Sequence, residues 1–319
     1  MTRQAPLRSA SLVDKVVIVN AKARRLAGRV GERVRSAARS AELVETSTLA
    51  ELDDAVARLA SRETPPSVAI LVGGDGTHMA GVSAIARAFG DRPMPRVALA
   101  SGGTVCTTAR AWGSRGDPAD DVARALASET FETRGTLAIE SPRAPRRVGF
   151  IWGTGLVARF FEPYDAQGGG VAAAAGIAAR VFGSALAGTE LARKVLSPIS
   201  AELWIDGARA PGTGWSLAVS SVLRDVGLGI RVTYRAGEDP DRIHFVASSA
   251  SPRGLAAAFP STFLGRSMGD AATVDALARE VRVRFGDPDG GPWVLDGDTF
   301  RTTELTLSAG PRLDVVTLR

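Results

Sequence analysis

The stretch Leu71-Val72-Gly73-Gly74-Asp75-Gly76-Thr77 carries the strongest signal in the sequence. It ends an apolar run at 67–72 that is typical of a buried strand, and a helical pattern follows at 78–89. Three glycines around one acid let backbone N–H groups close on an anion, because no Cβ obstructs them. The N-terminus of the next helix adds partial positive charge. The stretch therefore predicts a phosphate-binding loop, with a tight turn as the alternative interpretation.

Outward from this loop, the first half of the chain alternates strand and helix patterns. Buried-strand patterns occur at 15–19, 43–46, 67–72 and 96–100, and helical spacing occurs at 26–41, from residue 48 onward, and at 78–89. The first strand ends at Asn20, and the last runs into Ser101-Gly102-Gly103-Thr104. Such alternation predicts an α/β domain with a parallel sheet, whose ligands bind outside the carboxyl ends of the strands.

From about residue 137 the pattern changes to short β-rich runs punctuated by Gly and Pro, at 147–152, 201–205, 215–222, 242–248 and 280–285. These runs predict an antiparallel, sandwich-like second domain. An Ala-rich stretch at 171–196 predicts one or two helices. We place the domains at 1–135 and 136–319 with a hinge at 133–136, and we leave open that the last strand returns to the first domain.

Composition excludes several classes of function. The chain has 319 residues, one cysteine and two histidines, which argues against internal disulfides and against a His/Cys zinc site. The net charge is +5, but arginines are scattered and aromatic residues are only 6%, so no nucleic-acid partner is expected. No apolar run approaches the length of a membrane span. We expect a cytoplasmic protein that associates peripherally with the anionic inner face of the membrane.

The Gly-Gly-Asp-Gly-Thr sequence resembles the glycine-rich signature of the diacylglycerol kinase catalytic domain, which sphingosine and ceramide kinases share and NAD kinases share more distantly. Four further segments resemble this family in the same order. They are Val17-Ile18-Val19-Asn20, Gly103-Thr104 with Ala109-Arg110, Gly153-Thr154-Gly155-Leu156, and Leu295-Asp296-Gly297-Asp298. The resemblance implies an NAD kinase/diacylglycerol kinase-like fold, and it spans nearly the whole chain.

The resemblance also implies an activity: an ATP-dependent kinase that phosphorylates a hydroxyl of a neutral lipid, with ATP and Mg²⁺ as cofactors. Asp298 is the candidate base, Asp296 its alternative or a metal-organising partner, and Asp75 a competing base. Asp75 and Asp296 are the candidate metal ligands. The candidate nucleotide-binding residues are Asn20, Gly73, Gly74, Asp75, Gly76, Thr77, Gly103 and Thr104. The Asp296-Gly297 pair is equally typical of a simple hairpin turn.

Several positions depart from the family pattern. Ala21 stands where a proline is usual, Cys106-Thr107 replaces an Asn-Asp pair, Met79-Ala80 replaces Asn-Glu, and Asp298 replaces a glutamate. These departures leave two alternatives open: a non-catalytic lipid- or nucleotide-binding relative, and a soluble NAD kinase-like enzyme. Diacylglycerol, a sphingoid base and ceramide all remain candidate acceptors, and a homodimer is not excluded. Phe160, Phe161 and Phe182, with the 171–196 stretch, are the candidate lining of an apolar acceptor cleft.

Overall fold

A computed structural model describes residues 14–142, 144–159, 197–269 and 271–318. The helices predicted at 171–196, together with Phe160, Phe161 and Phe182, lie outside the described residues. Among the described residues, no helix is long and apolar enough to cross a membrane.

The first part of the chain alternates strands and helices, as predicted. Its strands are β1 (Lys15–Asn20), β2 (Glu42–Thr46), β3 (Val68–Gly73), β4 (Arg96–Ser101) and β5 (Phe131–Arg134). Its helices are α1 (Arg29–Ala37), α2 (Leu49–Ala60), α3 (Asp75–Phe89), α4 (Thr107–Ala111) and α5 (Pro118–Ala127). Side chains begin two of these helices: Thr48 Oγ1 accepts from Glu51 N in α2, and Asp117 accepts from Ala119 N and Asp120 N in α5.

The remaining described residues are mostly β-structure. The strands are β6 (Leu137–Ser141), β7 (Ala144–Gly149), β8 (Ile151–Gly155), β9 (Ile199–Ile205), β10 (Ala208–Arg209), β11 (Gly214–Trp215), β12 (Leu217–Ser221), β13 (Ile243–Ser248), β14 (Thr273–Ala278), β15 (Glu280–Phe285), β16 (Gly291–Leu295), β17 (Asp298–Thr302), β18 (Glu304–Ala309) and β19 (Leu313–Val316). Helix α6 (Pro252–Phe263) lies between β13 and β14.

These strands form three sheets. The first has the order β2-β1-β3-β4-β19-β5 and is parallel except for β5, which runs antiparallel to β19. The second has the order β10-β9-β15-β18-β6-β7, with β11 paired to β9, and the third has the order β14-β13-β12-β8-β16-β17. Pairing in the second and third sheets is antiparallel. The predicted fold class is therefore confirmed.

Side chains on the two faces of β3 pack into two different cores, and the glycine-rich loop follows at the end of this strand. Ala69 and Leu71 point into a core with α2 and α3, whereas Ile70 and Val72 point into a core with α1 and α5. All six residues of β3 are buried, because helices cover both faces of the sheet. Helix α3 begins at Asp75 rather than at residue 78, so Gly73 ends the strand, Gly74 precedes the helix, and 75–77 form the first helical turn.

Two of the predicted strands are each two strands in different sheets. The run at 147–152 is divided at Phe150 between β7 and β8, and the run at 215–222 is divided at Ser216 between β11 and β12. Phe150 N and Ile151 N donate to the Asp296 carboxylate at 2.9 Å each, which replaces ladder pairing at the first division. The periodicity of the sequence cannot show this change of sheet, because both halves remain extended.

A shared core joins the first sheet to the β-rich part. Phe150 is fully buried beside Trp112, with ring centroids 4.9 Å apart in an edge-to-face arrangement. The Ser83 hydroxyl on α3 donates to Val148 O at 2.9 Å and accepts from Val148 N at 2.8 Å. These contacts fix α3 against β7 and so hold the two parts of the chain together.

Because this core is shared, Phe150→Ala is expected to lower the free energy of unfolding of the whole chain by about 3–5 kcal/mol, through lost burial and a residual cavity. Urea unfolding followed by circular dichroism and by tryptophan fluorescence measures this loss. Leu43→Ala, at an exposed residue of β2, is the control with little expected effect. A loss confined to one of the two probes would contradict a shared core.

Candidate active site

Two glycine-containing loops meet in backbone contact at the carboxyl end of the parallel sheet. Gly102 N and Gly103 N both donate to Gly73 O, at 2.7 and 3.0 Å. A Cβ on Gly103 would lie 2.5 Å from Gly74 Cα, and a Cβ on Gly102 would lie 2.9 Å from Gly73 Cα. No side chain larger than hydrogen fits between these loops, so their close approach depends on glycine at both positions.

The end of β1 is tied to the first turn of α3. Asn20 Nδ2 donates to Thr77 Oγ1 at 2.8 Å, and Asn20 Oδ1 accepts from Lys22 N at 3.0 Å. A Cβ on Gly73 would lie within 2.5 Å of the Thr77 side chain, so glycine at this position makes room for the threonine. The structure therefore brings Asn20, Gly73 and Thr77 together, as a shared nucleotide site requires.

Asp75 connects the glycine-rich loop to the loop that follows β4. Its carboxylate oxygens accept from Thr107 N at 3.0 Å and from Thr108 N at 3.2 Å. These two amides open α4 and have no acceptor within that helix. Asp75 thus caps α4 and sets its position relative to α3. Thr104, in the same loop, is exposed and was also predicted to bind nucleotide.

Cys106 stands where an asparagine is usual, and its contacts are those of a buried thiol. Its φ of 50° is left-handed, a conformation that asparagine adopts more readily than most residues. Its Sγ accepts from Gly103 N at 3.2 Å and donates to Gly73 O at 3.5 Å. Burial, together with the charge of Asp75, raises the pKa of the thiol to about 11. Cys106 is therefore a protonated packing residue that contacts both loops.

His78, in the helix that follows the glycine-rich loop, is fully buried. Its Nε2 donates to Ala100 O at 3.1 Å, and its Nδ1 has no hydrogen-bond partner among the described residues. Burial lowers the pKa of the imidazole, which favours the neutral ring. His78 thus joins α3 to β4 beneath the loops. The helix begins three residues earlier than the sequence pattern indicates, and this turns His78 inward.

The far end of the chain reaches the glycine-rich loop through Asp298. A Cβ on Gly76 would lie 2.8 and 2.9 Å from the two carboxylate oxygens of Asp298, so the carboxylate lies against the first turn of α3. Asp298 is the first residue of β17 and is exposed. It follows the hairpin turn Asp296-Gly297, whose φ values of 49° and 93° are both left-handed. The hairpin predicted for these residues and the predicted acidic site are thus the same structure.

Asp296 lies behind this surface and is only 5% exposed. Its two oxygens accept from Phe150 N and Ile151 N, and Asp296 N donates to Ile151 O at 2.9 Å. Burial raises the pKa of Asp296 well above the usual range, and the neighbouring charges of Asp75 and Asp298 act in the same direction. These contacts position the hairpin and keep the Asp296 carboxylate buried.

The contacts of the acidic residues decide how well the predicted magnesium ligands fit. Among the described residues, no three His, Cys, Asp or Glu side chains form a group that could hold a metal ion. Asp296 is buried with both oxygens bound to backbone N–H groups, and Asp75 also accepts from two amides. Magnesium needs well-placed anionic oxygens around it. The predicted ligands therefore do not form a protein-held magnesium site.

Arg147 on β7 is a residue of this site that sequence reasoning missed. Its guanidinium lies over the Phe300 ring at 4.4 Å from the centroid. Burial lowers the pKa of Arg147 and the neighbouring Arg87 acts in the same direction, while the charge of Asp298 raises it. Arg147 is thus close enough to Asp298 to interact with it. No local signal in Arg146-Arg147 marks this residue, because only the packing of β7 beside the β16–β17 hairpin of another sheet brings it to the site.

Comparison with known proteins agrees with this geometry. Residues 14–136 match the family described as the diacylglycerol kinase catalytic domain. The predicted resemblance to this family is therefore confirmed over that segment. No curated protein matches the sequence significantly.

Solved structures share the fold along nearly the whole chain. A diacylglycerol kinase from Bacillus anthracis superposes with a TM-score of 0.63 at 13% identity, covering 95% of this chain and 96% of that one. A second Bacillus anthracis structure, provisionally assigned as a diacylglycerol kinase, gives a TM-score of 0.67 at 14% identity and covers 95% and 97%. Yeast NADH kinase gives 0.50 at 11% identity and covers 96% and 83%. At these identities the likeness establishes the fold.

Since the two loops touch through their glycines, Gly103→Ala is expected to force them apart and to weaken nucleotide binding at least tenfold, at a stability loss of about 1–3 kcal/mol. Titration with a fluorescent ATP analogue and thermal unfolding measure the two effects. Gly135→Ala is the matched control, because its Cβ would have no neighbour nearer than 3.8 Å. Unchanged binding in Gly103→Ala would show that the close approach is dispensable.

Asp296→Asn is expected to lower the free energy of unfolding by about 1–3 kcal/mol, because an amide offers one acceptor where two backbone N–H groups need one each. Chemical denaturation measures the loss. Asp206→Asn is the control with little expected loss: Asp206 is also an Asp-Gly turn residue with φ 49°, but it is exposed, and its two amides share Oδ1, which asparagine keeps. Equal losses in the two variants would contradict the need for two buried acceptor oxygens at Asp296.

Proposed function

With the match of residues 14–136 to the diacylglycerol kinase catalytic domain as the premise, we propose that this protein is an ATP-dependent lipid kinase. Its acceptor is a hydroxyl group of a neutral lipid: diacylglycerol, a sphingoid base or ceramide. The observation that carries the proposal is the contact of the Asp298 carboxylate with Gly76. This contact supports a reaction centre made of a phosphate-binding loop from one part of the chain and an acid from the other.

The nucleotide phosphates bind at the start of α3. Amides in the first turn of a helix have no partner within that helix and point out of its N-terminus, where the partial positive charge also favours an anion. Gly74 and Gly76 leave this turn without side chains that would cover those amides. The Asn20–Thr77 hydrogen bond holds the turn in place. ATP is the proposed donor, and Mg²⁺ as the counter-ion of its phosphates remains a prediction.

Asp298 is the proposed general base. Phosphoryl transfer forms a bond between the acceptor oxygen and the γ-phosphorus and breaks the bond from that phosphorus to the β–γ bridging oxygen, with ADP as the leaving group. The proton of the acceptor hydroxyl passes to the Asp298 carboxylate. This role requires a carboxylate at the surface next to the phosphate loop, which is where Asp298 lies.

Asp75 and Asp296 are proposed as positioning residues rather than bases. Asp75 holds the start of α4 against the glycine-rich loop, and Asp296 holds the hairpin that carries Asp298. Both have their oxygens engaged by backbone amides, which favours this role over proton transfer or metal binding. Arg147, beside Asp298, is suited to offset negative charge on the transferring phosphoryl group.

Asp298→Ala is expected to lower the rate of phosphate transfer by about 10²–10⁴-fold, since that is the usual contribution of a general base. The assay supplies labelled ATP and magnesium to purified protein with detergent micelles that contain diacylglycerol, sphingosine or ceramide in parallel. ATP binding is expected to persist in the variant, because the glycine-rich loop is unchanged. Asp206→Ala, which removes the acid of another hairpin, is the control with full activity.

Two outcomes would contradict the proposal. Transfer to no lipid by the wild-type protein, despite measurable ATP binding, would favour a non-catalytic relative or a non-lipid acceptor. Full activity in Asp298→Ala would exclude Asp298 as the base and return that role to Asp75 or Asp296. Labelling of one acceptor but not the others would identify the lipid class.

A further inference from the structure

Three of the large apolar side chains that the structure exposes lie on one surface. Leu228, Phe263 and Leu264 are 38%, 46% and 66% exposed. Leu228 belongs to the loop between β12 and β13, whereas Phe263 and Leu264 end helix α6. A Cβ on Gly229 would lie 3.8 Å from Phe263 Cδ1, so the loop and the helix end are in contact. Arg231 N donates to Thr262 O at 2.9 Å and joins the two elements.

The loop that presents Leu228 is a closed and anchored turn. Val226 N donates to Ile230 O at 2.9 Å, Ile230 N donates to Gly227 O at 3.0 Å, and Asp225 Oδ1 accepts from Gly227 N at 2.8 Å. Val226 and Ile230 pack on a buried cluster of valines, while Leu228 between them is exposed. Leu228 has a φ of 57°, an unfavourable conformation for leucine. The turn thus projects an apolar side chain outward at a conformational cost that folding alone does not explain.

Two arginines border this surface. Arg231 and Arg266 are exposed on the same loop and helix end, and neither forms an ion pair with a described residue. A Cβ on Gly265 would lie 3.6 Å from Arg231 Cδ, so Arg231 lies beside the residue that follows Leu264. The sequence contains no Asp or Glu from residue 242 to residue 269, and Asp225 in the Leu228 loop accepts from Gly227 N. The two arginines therefore make the border of the surface complementary to an anionic partner.

The surface is continuous with the candidate active site. A Cβ on Gly227, next to Leu228, would lie 3.6 Å from Thr107 Oγ1. Thr107 opens α4, and its amide is held by Asp75 of the glycine-rich loop. A layer in contact with Leu228 would therefore border the loops at which phosphoryl transfer is proposed.

We propose that Leu228, Phe263 and Leu264, with Arg231 and Arg266, form a docking surface for an anionic phospholipid bilayer. The inference rests on the proposed function, because a neutral lipid acceptor lies in a bilayer that the active site must reach. The apolar side chains insert at the level of the headgroups and the arginines pair with lipid phosphates. This combination of apolar centre, basic border and neighbouring reaction centre favours a membrane over a second copy of the chain.

Vesicle co-sedimentation without ATP tests this surface independently of catalysis. Wild-type protein is expected to bind phosphatidylcholine vesicles that contain phosphatidylglycerol, and to bind pure phosphatidylcholine vesicles much more weakly. Leu228→Ser/Phe263→Ser/Leu264→Ser is expected to reduce binding at least tenfold, since apolar insertion contributes to the affinity. Arg231→Gln/Arg266→Gln is expected to reduce it roughly 30-fold and to weaken its salt dependence.

Leu43→Ser/Leu49→Ser and Arg29→Gln/Arg39→Gln change equally exposed residues elsewhere and serve as matched controls. Thermal unfolding of every variant separates lost docking from lost folding. Asp298→Ala is expected to bind vesicles like the wild type. A wild-type protein that binds vesicles but transfers phosphate to no lipid would overturn the kinase and leave the docking surface standing. Equal vesicle binding by the patch and control variants would overturn the docking surface. Conversion of a dimer to a monomer by the patch variant alone, with vesicle binding intact, would overturn it too and identify an interface between copies.

Discussion

The buried Asp296 carboxylate is the contact on which the arrangement of the active site depends. It accepts from the Phe150 and Ile151 amides at the point where the chain leaves β7 in one sheet for β8 in another. Those amides would otherwise lie buried without ladder partners, which is costly. Asp296 is also the first residue of the turn that leads into Asp298 at the start of β17. One carboxylate therefore stabilises the sheet crossing and places the proposed base.

A second constraint is the contact between the two glycine-containing loops. Because Gly73, Gly74, Gly102 and Gly103 approach through their backbones, the carboxyl ends of β3 and β4 form one continuous surface. Two side chains stabilise this surface. The Asp75 carboxylate accepts from two amides of α4, and the Cys106 thiol hydrogen-bonds the backbone of both loops. The Cys106-Thr107 pair, which departs from the family pattern, therefore supports the loop architecture without supplying a charged group.

Charge is distributed unevenly around the site. Burial raises the pKa of Asp296, and the charges of Asp75 and Asp298 lie near enough to act in the same direction. Asp75 is satisfied by backbone amides, and Asp298 lies near Arg147. Such separation of three carboxylates into buried and exposed environments lets one act as a base while the others hold structure. The basic border of the proposed docking surface lies beyond Thr107, so membrane contact and phosphoryl chemistry occupy adjacent regions.

Much of this protein was determined by its sequence alone. Residue periodicity predicted the parallel sheet, the later β-rich part and the glycine-rich loop, since burial of alternate or successive faces leaves a local pattern. The resemblance to the diacylglycerol kinase catalytic domain was confirmed over residues 14–136, and residues such as Asn20, Gly73 and Thr77 do lie together. The sequence also predicted the Asp-Gly turn before Asp298, because Asp and Gly adopt the left-handed backbone of such turns readily. Local patterns sufficed wherever the determining interaction was local.

The tertiary structure alone decided the rest. The division of two predicted strands between sheets, the burial of His78, the approach of Arg147 to Asp298 and the meeting of Leu228 with α6 all involve partners distant in sequence. Neither periodicity nor a short motif contains information on such pairs. Asp296 illustrates the difference. The sequence predicted its position in a turn, but its role depends on two amides about 145 residues away along the chain. The long-range packing of two chain segments decides that Asp296 is buried and that Asp298 is exposed beside the glycine-rich loop.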